Sequence, residues 1–144
     1  MITKPNNFRI EELVPKTIFE YRKDKCWELF APEILQTIDE IRELFQSPII
    51  INNWMWGGVF QYRGFRPISY YDGKDSLSQH IRGNALDFDV KGLSAEDARK
   101  KIIGWKKDGK LNRLTALELG TSWVHIDCRQ SERLNNYGLF LFNP

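Results

Sequence analysis

Ser78-Gln79-His80-Ile81-Arg82-Gly83-Asn84-Ala85-Leu86-Asp87-Phe88-Asp89-Val90 is the stretch on which the rest of the chain turns. From Ala85 the residues alternate. Ala85, Asp87 and Asp89 fall on one side of an extended strand, and Leu86, Phe88 and Val90 on the other. The apolar side belongs against a core and the acidic side in a cleft. Gly83 lets the backbone turn just before the strand, so that His80 and Asp87 can converge on one point. Small Ala85 leaves room beside them.

A second segment, Trp123-Val124-His125-Ile126-Asp127, follows the same logic. His125 and Asp127 share one face with Trp123, while Val124, Ile126 and Cys128 take the buried face. His80 and His125 are the two histidines of the chain. Two neighbouring strands that each offer a ligand to one cleft would give His80, Asp87 and His125 a common metal. Two imidazoles and a carboxylate, with one coordination position left open, form the protein half of a catalytic zinc site. Calcium and magnesium prefer all-oxygen shells, so this set suits one zinc ion.

Outward from these segments the pattern is α+β. Pro15 starts a short helix through Tyr21, and Pro32 a longer one to Phe45. In the latter Ile34, Leu35, Ile38, Ile41, Leu44 and Phe45 recur at helical spacing, and Ser47-Pro48 ends it. Ile49-Ile50-Ile51 reads as a buried strand. Asn52 to Gln79 is rich in turn residues yet carries Trp54, Trp56, Phe60, Tyr62, Phe65, Tyr70 and Tyr71, as expected of a functional loop that packs down. Ser94 caps a helix to about Lys107. Leu114–Leu119 and Trp123–Cys128 read as a hairpin around Gly120-Thr121, and Leu139–Phe142 as a last strand. The expected architecture is a small antiparallel sheet with flanking helices in a single domain, residues 1–144.

Composition bounds the function. The chain has 144 residues, 42% of them hydrophobic and 13% aromatic, enough for one core. Lys and Arg number 21 against 19 Asp and Glu, a net +2 too near neutral to predict nucleic-acid binding. Lys100-Lys101 and Lys106-Lys107 read as solvated helix positions. Cys26 and Cys128 are far from any CxxC spacing and read as free thiols, with Cys128 pointing away from His125. Met1–Ile10 lacks the apolar run of a signal peptide, and no stretch approaches the roughly eighteen apolar residues of a membrane span. The expectation is cytoplasmic synthesis of a monomer that does not insert in membranes.

Ser78-x-His80-x-x-Gly83-x-Ala85-x-Asp87, followed by Trp123-x-His125-x-Asp127, resembles the zinc D-alanyl-D-alanine carboxypeptidase family. Its relatives include the vancomycin-resistance D,D-dipeptidases, phage L-alanyl-D-glutamate endopeptidases and, by fold, the Hedgehog signalling domain. The resemblance spans about Ile49 to Arg129. It implies a Hedgehog/DD-peptidase-like fold, zinc on His80, Asp87 and His125, and hydrolysis of peptidoglycan stem peptides. A chain of this type without a signal peptide suits a phage or prophage lysis enzyme, or a virion-associated one. Family members place a general-base acid three residues before the last histidine. Here that position is Ser122, so Glu118 on the preceding strand is the expected base, with Asp127 its rival or a residue that orients a ligand. Ser78, which opens the signature, is expected to support the site from behind. Arg63 and Arg66 are the expected grips for oxyanion or substrate carboxylate, with Arg82 a weaker third. Ser122 also keeps open a non-catalytic zinc module of the same fold, a binding or virion-structural protein.

Overall fold

The computed structural model describes residues 1–74 and 76–144. The described residues form three α-helices and one five-stranded sheet: α1 (Lys16–Arg22), α2 (Pro32–Phe45), α3 (Ala95–Lys107), β1 (Ile49–Ile50), β2 (Ala85–Val90), β3 (Ala116–Glu118), β4 (Val124–Asp127) and β5 (Phe140–Phe142). Helices α2 and α3 pack on the strands. The strand order is β1-β2-β4-β3-β5.

The α2 and α3 boundaries follow from local chemistry. Pro32 stands at the start of α2, and Gln46 closes it in the left-handed region just before Ser47-Pro48. Ser94 Oγ accepts a hydrogen bond from the Asp97 amide at the start of α3. The apolar stripe of α2, Ile34, Leu35, Ile38 and Ile41, is buried against the sheet with Leu86, Phe88, Val124, Ile126 and Leu117. Those residues lie on alternate positions of β2, β4 and β3. The sheet therefore has one face sealed by helices and a second face that carries Asp87, His125 and Asp127.

The sheet is mixed rather than purely antiparallel. β1, β2, β4 and β3 pair antiparallel, but β5 runs parallel to β3, with Glu118 opposite Phe142. The chain leaves β4, travels through Arg129–Leu139 and re-enters at the far edge, so β5 arrives by a crossover rather than a turn. The expected hairpin strands are shorter than their apolar runs, because Leu114, Thr115 and Leu119 lie outside the ladder. A 3-10 segment, Lys23–Leu29, was not legible; it buries Cys26 and Trp27. Lys106 also departs from expectation. It is buried, and its Nζ donates to the Leu111 carbonyl at 3.0 Å, fastening the chain just beyond α3.

The long loop between β1 and β2 packs down only in part: Trp54, Phe60, Phe65 and Tyr71 are half-buried, but Trp56, Tyr62 and Tyr70 are exposed. Trp54 Nε1 donates to the Val14 carbonyl at 2.9 Å, Phe65 meets Phe30 edge-on, and Tyr62, Tyr70 and Tyr71 form a contiguous cluster. Two short 3-10 turns, Trp54–Trp56 and Ile68–Tyr71, are its regular pieces. Among the described residues no helix is long and apolar enough to cross a membrane.

Candidate metal centre

Register builds the site. Asp87 on β2 stands directly opposite His125 on β4. Ala116 pairs with Asp127 and Leu117 with Ile126, so the next step along β3 sets Glu118 opposite His125 on the other side. Asp87, His125, Glu118 and Phe142 thus form one row across four strands, all on the face away from α2. Residues directly opposite in such a ladder have Cβ atoms about 4.5–5.5 Å apart, close enough for side chains to meet. His80 reaches the row from the loop before β2.

His80, Asp87 and His125 are all buried, and their ligand atoms lie within 4.8 Å of one another. Asp87 Oδ1 is the meeting point, 2.7 Å from His125 Nδ1 and 3.3 Å from His80 Nε2. The outer nitrogens are pinned. His80 Nδ1 lies 2.8 Å from the Gly64 carbonyl, and His125 Nε2 lies 2.8 Å from Asp127 Oδ2. Carbonyl and carboxylate oxygens only accept, so each outer nitrogen carries its proton. Both neutral rings would then aim a lone pair at the same carboxylate oxygen. That arrangement needs positive charge at its centre, either extra protons or a cation. Ligating histidines characteristically donate their second N–H to a carbonyl or a carboxylate, and these rings do one each. The donor set fits a metal ion.

The electrostatics agree. Burial alone would push His125 down, but hydrogen bonds to Asp127 and Asp87 outweigh it and carry its pKa up to about 9. Burial would raise Asp87, yet the bonds from His125 and His80 hold it well below the usual carboxylate range. Asp127 is lowered in the same way, with Arg129 and His125 overcoming burial.

Arg66 comes to the site, but onto Asp87, one of the three residues that could hold a metal. Its Nη2 donates to Asp87 Oδ2 at 3.0 Å, its Nη1 to Tyr71 Oη at 3.1 Å and its Nε to the Tyr62 carbonyl at 2.6 Å. Arg63 faces elsewhere. It pairs with Asp89 at 2.8 Å and stacks over Phe60, while its carbonyl accepts the Asp87 amide. Ser78 supports the loop: its Oγ accepts from Tyr71 Oη at 2.9 Å and from the His80 amide at 3.2 Å. Glu118 is half-buried, and its charge is felt by Arg129. Arg82 is exposed. Cys128 sits on the helix side with its Sγ 3.6 Å from Thr37 Oγ1, and burial first of all pushes its thiol up to about 11.

Three participants escaped the sequence reading. Gly64 supplies the carbonyl for His80 and lies so close to Leu13 that an added Cβ would stand 2.1 Å from its carbonyl oxygen. Tyr71 links Arg66 to Ser78. Neither leaves a local signal, since both act across loop turns. Arg129 does leave one, being two residues beyond Asp127 on the same strand parity as His125. It bonds to both Asp127 oxygens and lies over Phe142.

No family model matches the chain, and no curated protein or solved structure matches it either.

Proposed function

We propose that this chain is a zinc-dependent peptidase of the Hedgehog/DD-peptidase type that hydrolyses peptide bonds in peptidoglycan stem peptides. One observation carries the reading: His80, Asp87 and His125 converge with both outer imidazole nitrogens already committed, while Glu118 stands beside His125 in the same row. Three protein ligands, two nitrogen and one oxygen, are the set that leaves a zinc ion a fourth position for chemistry. An ion held there would lower the pKa of a water molecule toward neutrality and polarise a peptide carbonyl. The residues of the chain do the rest. Glu118 takes the proton from the attacking water and delivers it to the leaving amine. Asp127 holds the His125 ring, and Arg66 holds Asp87 through the oxygen that the histidines leave free. The peptidoglycan substrate, and a role in phage lysis or in the virion, rest on the likeness of the Ser78–Asp87 and Trp123–Asp127 segments to the family signature.

The test is release of new amino groups from purified peptidoglycan by the chain with and without zinc, with mass spectrometry of the products to show which bond is cut. Zinc should restore hydrolysis to chelator-treated protein. Glu118→Gln should keep zinc and lose about 10²–10⁴-fold in rate. A zinc-loaded chain inert toward every wall peptide would overturn the enzyme reading and favour a non-catalytic metal module.

A further inference from the structure

The His125 ring lies between two carboxylates, Asp87 at Nδ1 and Asp127 at Nε2, with contacts of 2.7 and 2.8 Å. A cation could be drawn to either end. The two ends differ in what else they touch. Asp127 is completely buried, and Arg129 takes up most of its accepting capacity. Arg129 Nε donates to Oδ1 at 2.7 Å, its amide donates to Oδ1 at 3.2 Å, and its Nη2 donates to Oδ2. The remaining donor to Oδ2 is His125 Nε2. Asp87 Oδ1, by contrast, meets the two imidazole nitrogens. Arg129 is itself braced, with its guanidinium 4.7 Å from the Phe142 ring centre and 5.8 Å from that of Phe140. Phe142 also packs edge-on against His125, so β5 fixes the arginine and the imidazole together.

We propose that Arg129 is a positioning residue of the metal centre: by engaging both oxygens of Asp127 it makes that carboxylate the acceptor for His125 Nε2–H, leaves Nδ1 as the metal-facing nitrogen and keeps Asp127 from serving as a ligand. The inference rests on the metal reading above but not on peptidase activity. A buried carboxylate without a counter-charge would be free to attract the cation to the wrong end of the ring or to take up a proton, and in either case His125 loses its fixed acceptor. The fork geometry matters, because a lysine offers a point charge and cannot bond side-on to both oxygens.

The experiment measures zinc affinity by competition with a chromophoric chelator, together with the imidazole N–H signals of the zinc-loaded protein by NMR. The unaltered chain should show a slowly exchanging His125 Nε2–H. Arg129→Gln should lose that signal and bind zinc about 10–100-fold more weakly. Arg129→Lys should fall between the two, and it serves in place of the glutamine variant if that does not fold. Asp127→Asn should also weaken zinc binding, and adding Arg129→Gln to it should cost little more, because both act through one contact. Unchanged zinc affinity and an intact Nε2–H in Arg129→Gln would overturn the proposal. So would a loss that adds in full to that of Asp127→Asn, since Arg129 would then act by another route. Both readouts are independent of hydrolysis, so an inactive but zinc-binding chain would refute the peptidase and leave this result standing.

Discussion

Gly83 shows how much one residue position carries. In the sequence it is a turn that lets His80 fold back toward Asp87. In the structure it has a left-handed φ of 64°, and a Cβ there would stand 1.7 Å from the Leu29 carbonyl oxygen. Its own carbonyl accepts the Ala31 amide at 2.9 Å, tying the metal loop to the start of α2. The turn was legible because glycine is the residue that enters this region without strain. The close approach to Leu29 was not, because that neighbour is distant in sequence. Gly92 gives a control, with φ of 85° and open space around it. Gly92→Ala should cost about 1–2 kcal/mol, the left-handed penalty alone. Gly83→Ala should cost clearly more in urea denaturation and should weaken zinc binding as well. Equal costs for the two would show that the Leu29 contact relaxes freely. The cluster that could hold a metal was legible for a related reason: His80, Asp87 and His125 are few, polar and set at fixed parity. Gly64, which pins His80, and Tyr71, which braces Arg66 and Ser78, are common residues whose role exists only in three dimensions.

At the scale of elements, helices and strands were legible to different degrees. The bounds of α2 and α3 are written in Pro32, Ser47-Pro48 and Ser94, so neighbours in sequence decide them. The strand β2 is written in its alternation. The pairing of β5 with β3 is not, because Phe140–Phe142 is equally suited to either direction and to several partners. That pairing matters, since it brings Phe142 to His125. The placement of Glu118, the proposed base, has the same origin. Glu118 is seven residues from His125 in the chain and becomes its neighbour only through the β3–β4 register. The two faces of the sheet should be energetically separable. Ile38 on α2 is completely buried on the helix side, away from the ligands. Ile38→Ala should destabilise the fold by about 2–5 kcal/mol. Zinc affinity, measured on the folded protein well below its melting temperature, should stay within a factor of a few. A large loss of affinity would mean that the core and the metal face move together.

For the whole molecule, protons and folding are linked, and a metal bound at this site would join the same equilibrium. Without metal, the folded chain holds a proton on His125 more tightly than the unfolded chain does, with a pKa of about 9 against 6.5. Stability from this group is complete below about pH 6.5 and is lost as pH rises through about 9. Asp87 and Asp127 are lowered, so their contribution is present above the ordinary carboxylate value of 3.8 and is lost as pH falls below it. The metal-free chain should therefore be most stable between about pH 4 and 6.5, with a urea midpoint that declines steadily toward pH 9. Zinc held at this site would change only the alkaline limb. It would take the position of the proton at His125 Nδ1, and binding to the folded state alone would add stability that grows with the ratio of free metal to its dissociation constant. With zinc in excess, the midpoint should hold level or rise from pH 6.5 to 9, while the two curves approach each other in acid, where protons displace the metal. A metal-free midpoint that stays flat from pH 6.5 to 9 would show that His125 is not held as an imidazolium between Asp87 and Asp127. Parallel curves with and without zinc would show that the metal binds somewhere other than this ring.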